Sequence, residues 1–393
     1  MYRFAPSPTQ EMNINSLRIA LLNYICAKQI GDMFIVRIED SDKTKNIEGK
    51  DQDILDILSI FGINYDTLYY QSENFKYHLQ FASFLMDKKK AFACFCTQDE
   101  LKTEKYSGKC LHVSDDELLN NNLPFTIRIK NDDDSFVIMR QDKYPTYNFA
   151  CATDDMLQGI KHIIRDKEHL INSPKQEWIR KSLGYNEKIK YTHIPAILNE
   201  NYNEGNVKWL LDQGFMPESI INYLILLSNE VPTKIFTIAE AMEWFELEKI
   251  SNTPAKFDID KLRFINREHI KLVEDVELSK RLGYSCASIG KLAKLYTQVC
   301  NTTSEIKEKI DTIFAPKKSE EYKESLDRLK KIMKDAPYFE NFDEFKKYLE
   351  QKSGLEDKNF LMTLRILLTG KESGLELSEV YPLIKNYLQE TTK

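Results

Sequence analysis

The first sixty residues switch between two hydrophobic periods, and that alternation constrains the fold more than any other feature of the chain. Tyr2 to Ala5 reads as a short strand, broken by Pro6-Ser7-Pro8-Thr9. Ser16 is then expected to cap a helix with Leu17, Ala20, Leu21, Tyr24 and Ile25 on its buried side. Met33 to Ile38 is a near-continuous apolar run interrupted only by Arg37, which suits a parallel strand covered on both faces. Ile54, Ile57, Leu58 and Phe61 return to helical spacing. This βαβα order predicts an α/β fold with a doubly wound sheet, whose ligands lie beyond the carboxyl ends of the strands.

From about Tyr70 to Asn131 the pattern is less regular, and it holds a cysteine cluster and a strand candidate at Phe125 to Ile129. The α/β texture returns at Phe136-Val-Ile-Met-Arg140 and Ile163-Ile-Arg165, so the middle reads as an insertion that splits the fold. Beyond Phe215 the chain is almost all helix. A length of 393 residues is too great for one core. A net charge of −6 argues against sequence-blind DNA binding but not against RNA, which needs only a local basic face. The apolar stretches, such as Tyr223 to Leu227, are too short to span a bilayer. Met1-Tyr-Arg-Phe-Ala lacks the basic head and apolar run of a signal peptide, so a cytoplasmic address is expected.

Several segments together resemble the glutamyl-tRNA synthetases, a class I synthetase family. They are Arg3-Phe-Ala-Pro-Ser-Pro-Thr9, Arg37-Ile-Glu-Asp-Ser-Asp42, Tyr144-Pro-Thr-Tyr-Asn148, Ile164-Arg165 with His169-Leu and Ser173-Pro174, and Gly214-Phe215. Phe257-Asp-Ile-Asp-Lys-Leu262 with Asn266, and Leu364-Arg to Gly370-Lys-Glu-Ser-Gly374, resemble the later domains. The resemblance implies a Rossmann-like catalytic domain in two halves, 1–70 and 136–195, split by an acceptor-binding insertion at 71–135. A stem-contact domain at 196–270 and a helical anticodon-binding domain at 271–393 would follow. It also implies a ligase that joins glutamate to tRNA through glutamyl-adenylate, using ATP with Mg²⁺, and acting as a monomer on tRNA for Glu or Gln.

The residues suit an amino-acid pocket. Glutamate has two carboxylates and one ammonium, so a specific site needs fixed cations or hydroxyls for the former and an acid for the latter. Arg3, Glu39 and Arg165 lie at the ends of three strands and converge on the expected crevice. By resemblance Arg3, Ala5, Ser7, Glu39, Tyr147 and Arg165 would hold glutamate. The plainer alternative is that Arg3 and Glu39 pair with each other at a sheet edge.

The ATP side departs from the family. After the Pro-Ser-Pro-Thr loop the family has Gly, then His-Ile-Gly; this chain has Gln10, then Asn13-Ile14-Asn15-Ser16. Asn13 can still donate a hydrogen bond but cannot carry a positive charge. Asn15 places a side chain where glycine would let adenosine lie against bare backbone. The lysine-rich second signature should precede Gly214-Phe215, but Ile197 to Gly205 is several residues too short and holds no Lys or Arg. Glu200 and Glu204 would repel the leaving pyrophosphate. Asp166, where the family has Gly, is expected to weaken the grip of Arg165. Each lost transition-state donor costs about two to three orders of magnitude in rate. The expectation is that adenylate formation is weak or lost and that tRNA and glutamate binding remain. The alternative is an active ligase in which Lys175 or Lys208 compensates.

Four cysteines, Cys26, Cys151, Cys286 and Cys300, are isolated and read as small core residues. Cys94-Phe-Cys96 with Cys110 has the look of a closed structural zinc site. The family resemblance gives Tyr106 as the fourth ligand; His112 is the chemically ordinary substitute, and unpaired core cysteines are the other reading. In the tail, Lys317-Lys318, Lys330-Lys331 and Lys346-Lys347 are candidate phosphate contacts.

Overall fold

Strand β1, Tyr2–Phe4, helix α1, Ile14–Gln29, strand β2, Phe34–Ile38, helix α2, Lys50–Ile60, and strand β3, Thr67–Tyr70, form the opening of the computed structural model. The structure describes residues 1–97, 100, 106–199, 203–227, 229 and 231–391. The three strands pair in parallel in the order β1-β2-β3, with Arg3 beside Ile35 and Arg37 beside Tyr69. The parallel arrangement follows from the two helical crossovers. Every residue of β1 and β2 is buried, as the continuous apolar run required.

The cap of α1 differs from the expectation. Asn13 is the N-cap, in extended conformation, and its side chain accepts from the Ser16 backbone N–H at 2.9 Å. Ser16 is thus the residue capped, because an Asn reaching forward to the third helical amide satisfies the helix start one turn earlier.

The irregular middle contains α3, Phe75–Asp87, β4, Ala91–Cys94, α4, Asp115–Leu119, β5, Thr126–Ile129, and β6, Phe136–Met139. Its strands form an antiparallel sheet in the order β4-β5-β6. Next come α5, Tyr147–Leu157, β7, His162–Asp166, α6, Ser173–Ser182, and β8, Lys190–Ile194. One apolar core, including Leu85, Ile129, Ile138, Phe149 and Ile179, joins α3, the antiparallel sheet, α5 and α6. Strands β7 and β8 pair in parallel with Arg165 opposite His193, and β7 packs beside β1. The short strands β9, Ile197–Leu198, and β10, Ala255–Lys256, also pair in parallel.

The chain divides into two compact units, Met1–Lys208 with Leu224–Phe257, and Trp209–Tyr223 with Asp258–Lys393. The second is helical, with a core that includes Leu292, Ile310, Leu329, Phe345, Leu367 and Tyr381. Gly370 ends the helix Asp357–Thr369 at φ 73°, and a Cβ there would meet Thr312 Cγ2 at 2.8 Å, so this position of the tail motif needs glycine. Lys317 corrects an expectation: it is buried, and its ammonium donates to the carbonyls of Thr312, Ile313 and Ala315 at the end of the helix Thr303–Phe314. It closes a helix C-terminus and is not presented to a phosphate. Lys330 also donates to the Lys317 carbonyl at 3.2 Å, whereas Lys318, Lys331 and Lys347 are exposed.

Candidate functional site

The carboxyl ends of β1, β2 and β7 and the start of α5 enclose a cavity of about 290 Å³. Arg3, Ala5, Ser7, Glu39, Tyr147 and Arg165 all line it. Arg3 and Glu39 do not pair with each other. Arg3 Nε donates to Asp155 Oδ1 at 3.1 Å, and Glu39 Oε1 accepts from Arg37 Nη2 at 3.2 Å and from the Cys151 thiol at 2.9 Å. Arg37, which interrupts the apolar run of β2, is fully buried and also donates to Asp155 and Gln158, both at 2.8 Å. Burial alone would raise the Asp155 carboxyl, but Arg3 and Arg37 hold it down to about 2. This buried Arg-Asp-Arg-Glu chain fixes the floor of the cavity.

Arg165 is in a different state. It is 4% exposed, and its guanidinium donates to Gln176 Oε1 at 2.9 Å, Ser173 Oγ at 2.7 Å and His193 Nε2 at 3.3 Å, all neutral groups. Tyr191 lies beneath it, with the ring centroid 5.1 Å from the guanidinium carbon. Among the described residues no carboxylate pairs with it. A guanidinium has five N–H groups, so two remain for a ligand. A buried cation without an anion is unfavourable unless something anionic completes it.

Asp166 does not offset that charge by pairing with Arg165. Asp166 lines the same cavity without an ion pair to Arg165, and the charge that it acts upon is the buried Arg18 of α1. Burial, then Glu168, push its carboxyl up to about 6, against the pull of Arg18.

The other predicted pair, Asn13 and Asn15, lines a separate cavity of about 210 Å³ with Gln10, Ile197, Asn199 and Asn206. Asn15 makes a reciprocal clamp on β9: its Nδ2 donates to the Ile197 carbonyl at 3.3 Å, and the Ile197 N–H donates to its Oδ1 at 2.7 Å. The backbone of Asn13 bridges to Asn206, and Asn206 donates to Glu11. Asn13 and Asn15 are therefore engaged in tying Ile197 and Asn206 to the start of α1. Glu200 lies outside the described residues. Neither cavity is lined by a lysine, and Lys175 lies over the ring of Phe136. Lys208 acts electrostatically on Glu11 and Asp53.

Cys94, Cys96 and Cys110 are buried, with their sulfurs within 4.8 Å of one another. The Tyr106 hydroxyl lies 3.7 Å from Cys94 Sγ and accepts from the Cys110 N–H at 2.8 Å, whereas His112 is exposed and outside the group. Three sulfurs and one phenol oxygen suit a four-coordinate metal such as zinc.

Residues 1–124 and 112–264 match the model for the catalytic domain of class I tRNA synthetases (E and Q), and residues 238–386 match an anticodon binding domain. Glutamate–tRNA ligase 1 of Campylobacter curvus is 50% identical over 99% of both chains, and its namesake from Nitratiruptor is 49% identical over 99% of both. The chain belongs to the glutamate–tRNA ligase family. A glutamate tRNA ligase structure from Elizabethkingia meningosepticum shares the fold, with a TM-score of 0.79, 20% identity, and coverage of 99% of this chain and 97% of that one. No described helix is long and apolar enough to cross a membrane.

Sequence reading missed Asp155, Arg37, Cys151, Gln176 and His193 as parts of this site. Signals were present for two of them. Arg37 was a charge inside a buried strand, which demands a partner, and Asp154-Asp155 was an acidic pair inside an apolar helix. Cys151, read as core filler, gave none.

Proposed function

We propose that this chain is a glutamate- and tRNA-binding member of the glutamate–tRNA ligase family in which ATP-dependent activation is weak or lost. The family reaction uses ATP, glutamate and tRNA. The observation that carries the reading is the unequal state of two cation sites. Arg165 is a buried guanidinium with two N–H groups open to a ligand carboxylate, while the ATP side holds no lysine and has the Asn15 side chain bonded to β9. The acids Glu11, Asp166 and Glu168 also line the larger cavity, where they would repel a triphosphate. Glu39, held by Arg37, is the acid for the substrate ammonium. Arg3, Ala5, Ser7 and Tyr147 complete the glutamate site.

The comparison with the C. curvus enzyme also supports a shortened chain. That alignment runs over 427 positions, more than the 393 residues this chain has, so positions of the relative have no counterpart here. The identity of about half over the full length favours the second reading, an active ligase with a different ATP contact set. Glutamate-dependent ATP–pyrophosphate exchange, with and without tRNA, separates the two, and exchange at ordinary synthetase rates would exclude the first.

The thiol cluster would hold a structural zinc ion through Cys94, Cys96, Cys110 and Tyr106, tying the end of β4 to Cys110. Elemental analysis of protein purified without chelator is expected to find about one zinc per chain, reduced by Cys96→Ser; a content near zero would remove the proposal. The helical unit is the proposed tRNA contact, with Lys318, Lys331 and Lys347 as the exposed cations. Their replacement by Gln is expected to lower the salt slope of tRNA binding, and an unchanged slope would count against them.

A further inference from the structure

One of the three neutral groups that hold Arg165 is an imidazole, and its chemistry is one-sided. His193 sits on β8 directly opposite Arg165 on β7, so strand register delivers it to the guanidinium. Its Nε2 lies 3.3 Å from Arg165 Nε and 3.2 Å from Ser173 Oγ. An arginine Nε–H can only donate, so Nε2 must offer a lone pair, and the neutral ring carries its proton on Nδ1. Tyr191 stacks on the ring, with centroids 5.9 Å apart and planes 4° apart, and the same tyrosine lies under the guanidinium. Burial, then the charges of Arg165 and His169, hold the imidazole neutral, down to about 4. A protonated ring would set two donors against each other.

We infer that His193 is a positioning residue for the anion site. It fixes the Nε edge of Arg165, while Ser173 and Gln176 take one N–H from each terminal nitrogen, so the two remaining N–H groups are aimed and not free to rotate. The functional consequence rests on the glutamate-binding reading above, but the positioning itself can be read without any ligand.

The test uses the full chain and two variants. His193→Phe keeps the ring volume and removes the acceptor. His193→Gln restores an acceptor near the Nε2 position. In ¹⁵N-labelled protein, the Arg165 Nε–H resonance, assigned by its disappearance in Arg165→Lys, is expected to be resolved and slowly exchanging. It should be lost in His193→Phe and retained in His193→Gln. Glutamate affinity by calorimetry is expected to fall about tenfold in His193→Phe and to stay within about threefold in His193→Gln. In the Arg165→Lys background, which has no Nε–H to hold, His193→Phe should change nothing further. An unchanged Nε–H resonance in His193→Phe, or an equal loss of affinity in the Arg165→Lys background, overturns the inference. Wild-type protein that binds no glutamate would overturn the proposed function and leave the resonance to decide this point. If His193→Phe fails to fold, His193→Asn, too short to reach Arg165 Nε, is read in its place.

Discussion

Two cavities of the first unit, one at the strand ends and one at the start of α1, are lined by side chains in different states. At the strand ends, Arg3, Glu39 and Arg165 stand where the sheet delivers them, each fixed by buried partners. At the helix start, Asn13 and Asn15 have structural roles, capping α1 and clamping β9. On the proposed function, a site loses one substrate while the scaffold holding the other becomes no looser. The Asn15 amide supplies two hydrogen bonds to β9 that a glycine could not make, so that side chain has a stabilising term of its own.

The sharpest way to break the comparison is at Arg165. Arg165→Met removes the buried guanidinium that faces the cavity with no acid partner among the described residues, and glutamate affinity by calorimetry is expected to fall roughly a hundredfold or more, the usual result of truncating one side of a desolvated charge contact. Affinity within threefold of wild type would place glutamate elsewhere. Asn15→Gly addresses the other end. It removes both bonds to Ile197 and puts glycine in the first turn of α1, so the urea midpoint should correspond to a loss of roughly 1–3 kcal/mol. Binding of ATP should remain weak, because no lysine is restored; a large gain would show that the amide alone closed the pocket.

A smaller effect is expected at Asp166. Its folded carboxyl titrates at about 6 against 3.8 for the free side chain, because of burial and then Glu168. The folded state therefore holds a proton that the unfolded chain releases. Its contribution to stability is most favourable below the free value and is lost as pH rises toward 6. Asp166→Asn should accordingly raise stability by roughly 1 kcal/mol at pH 7.5 and by almost nothing at pH 3.5. An equal gain at both pH values would contradict the assignment.

Much of this architecture was legible in the sequence because it follows from periodicity. The parallel order of β1 and β2 came from an apolar run with a helical crossover, and the convergence of Arg3, Glu39 and Arg165 came from their places at strand ends. Partner choice was not legible. Nothing local says that Arg3 pairs with Asp155, 152 residues away, and not with Glu39. Lys317 failed for the same reason: a lysine pair reads as surface, and only the packed helix shows three carbonyls waiting for the ammonium. The role of Asn15 as clamp needed the position of β9, which the residues around Ile197 alone could not give.

On the proposed function, glutamate recognition and ATP activation have separated in this chain. Measuring both on one preparation tests it most directly: glutamate affinity by calorimetry, and glutamate-dependent ATP–pyrophosphate exchange with saturating tRNA. Saturable glutamate binding is expected together with exchange at least about a thousandfold below an active synthetase assayed beside it. Exchange at a rate comparable to that synthetase, or no glutamate binding at all, would contradict it.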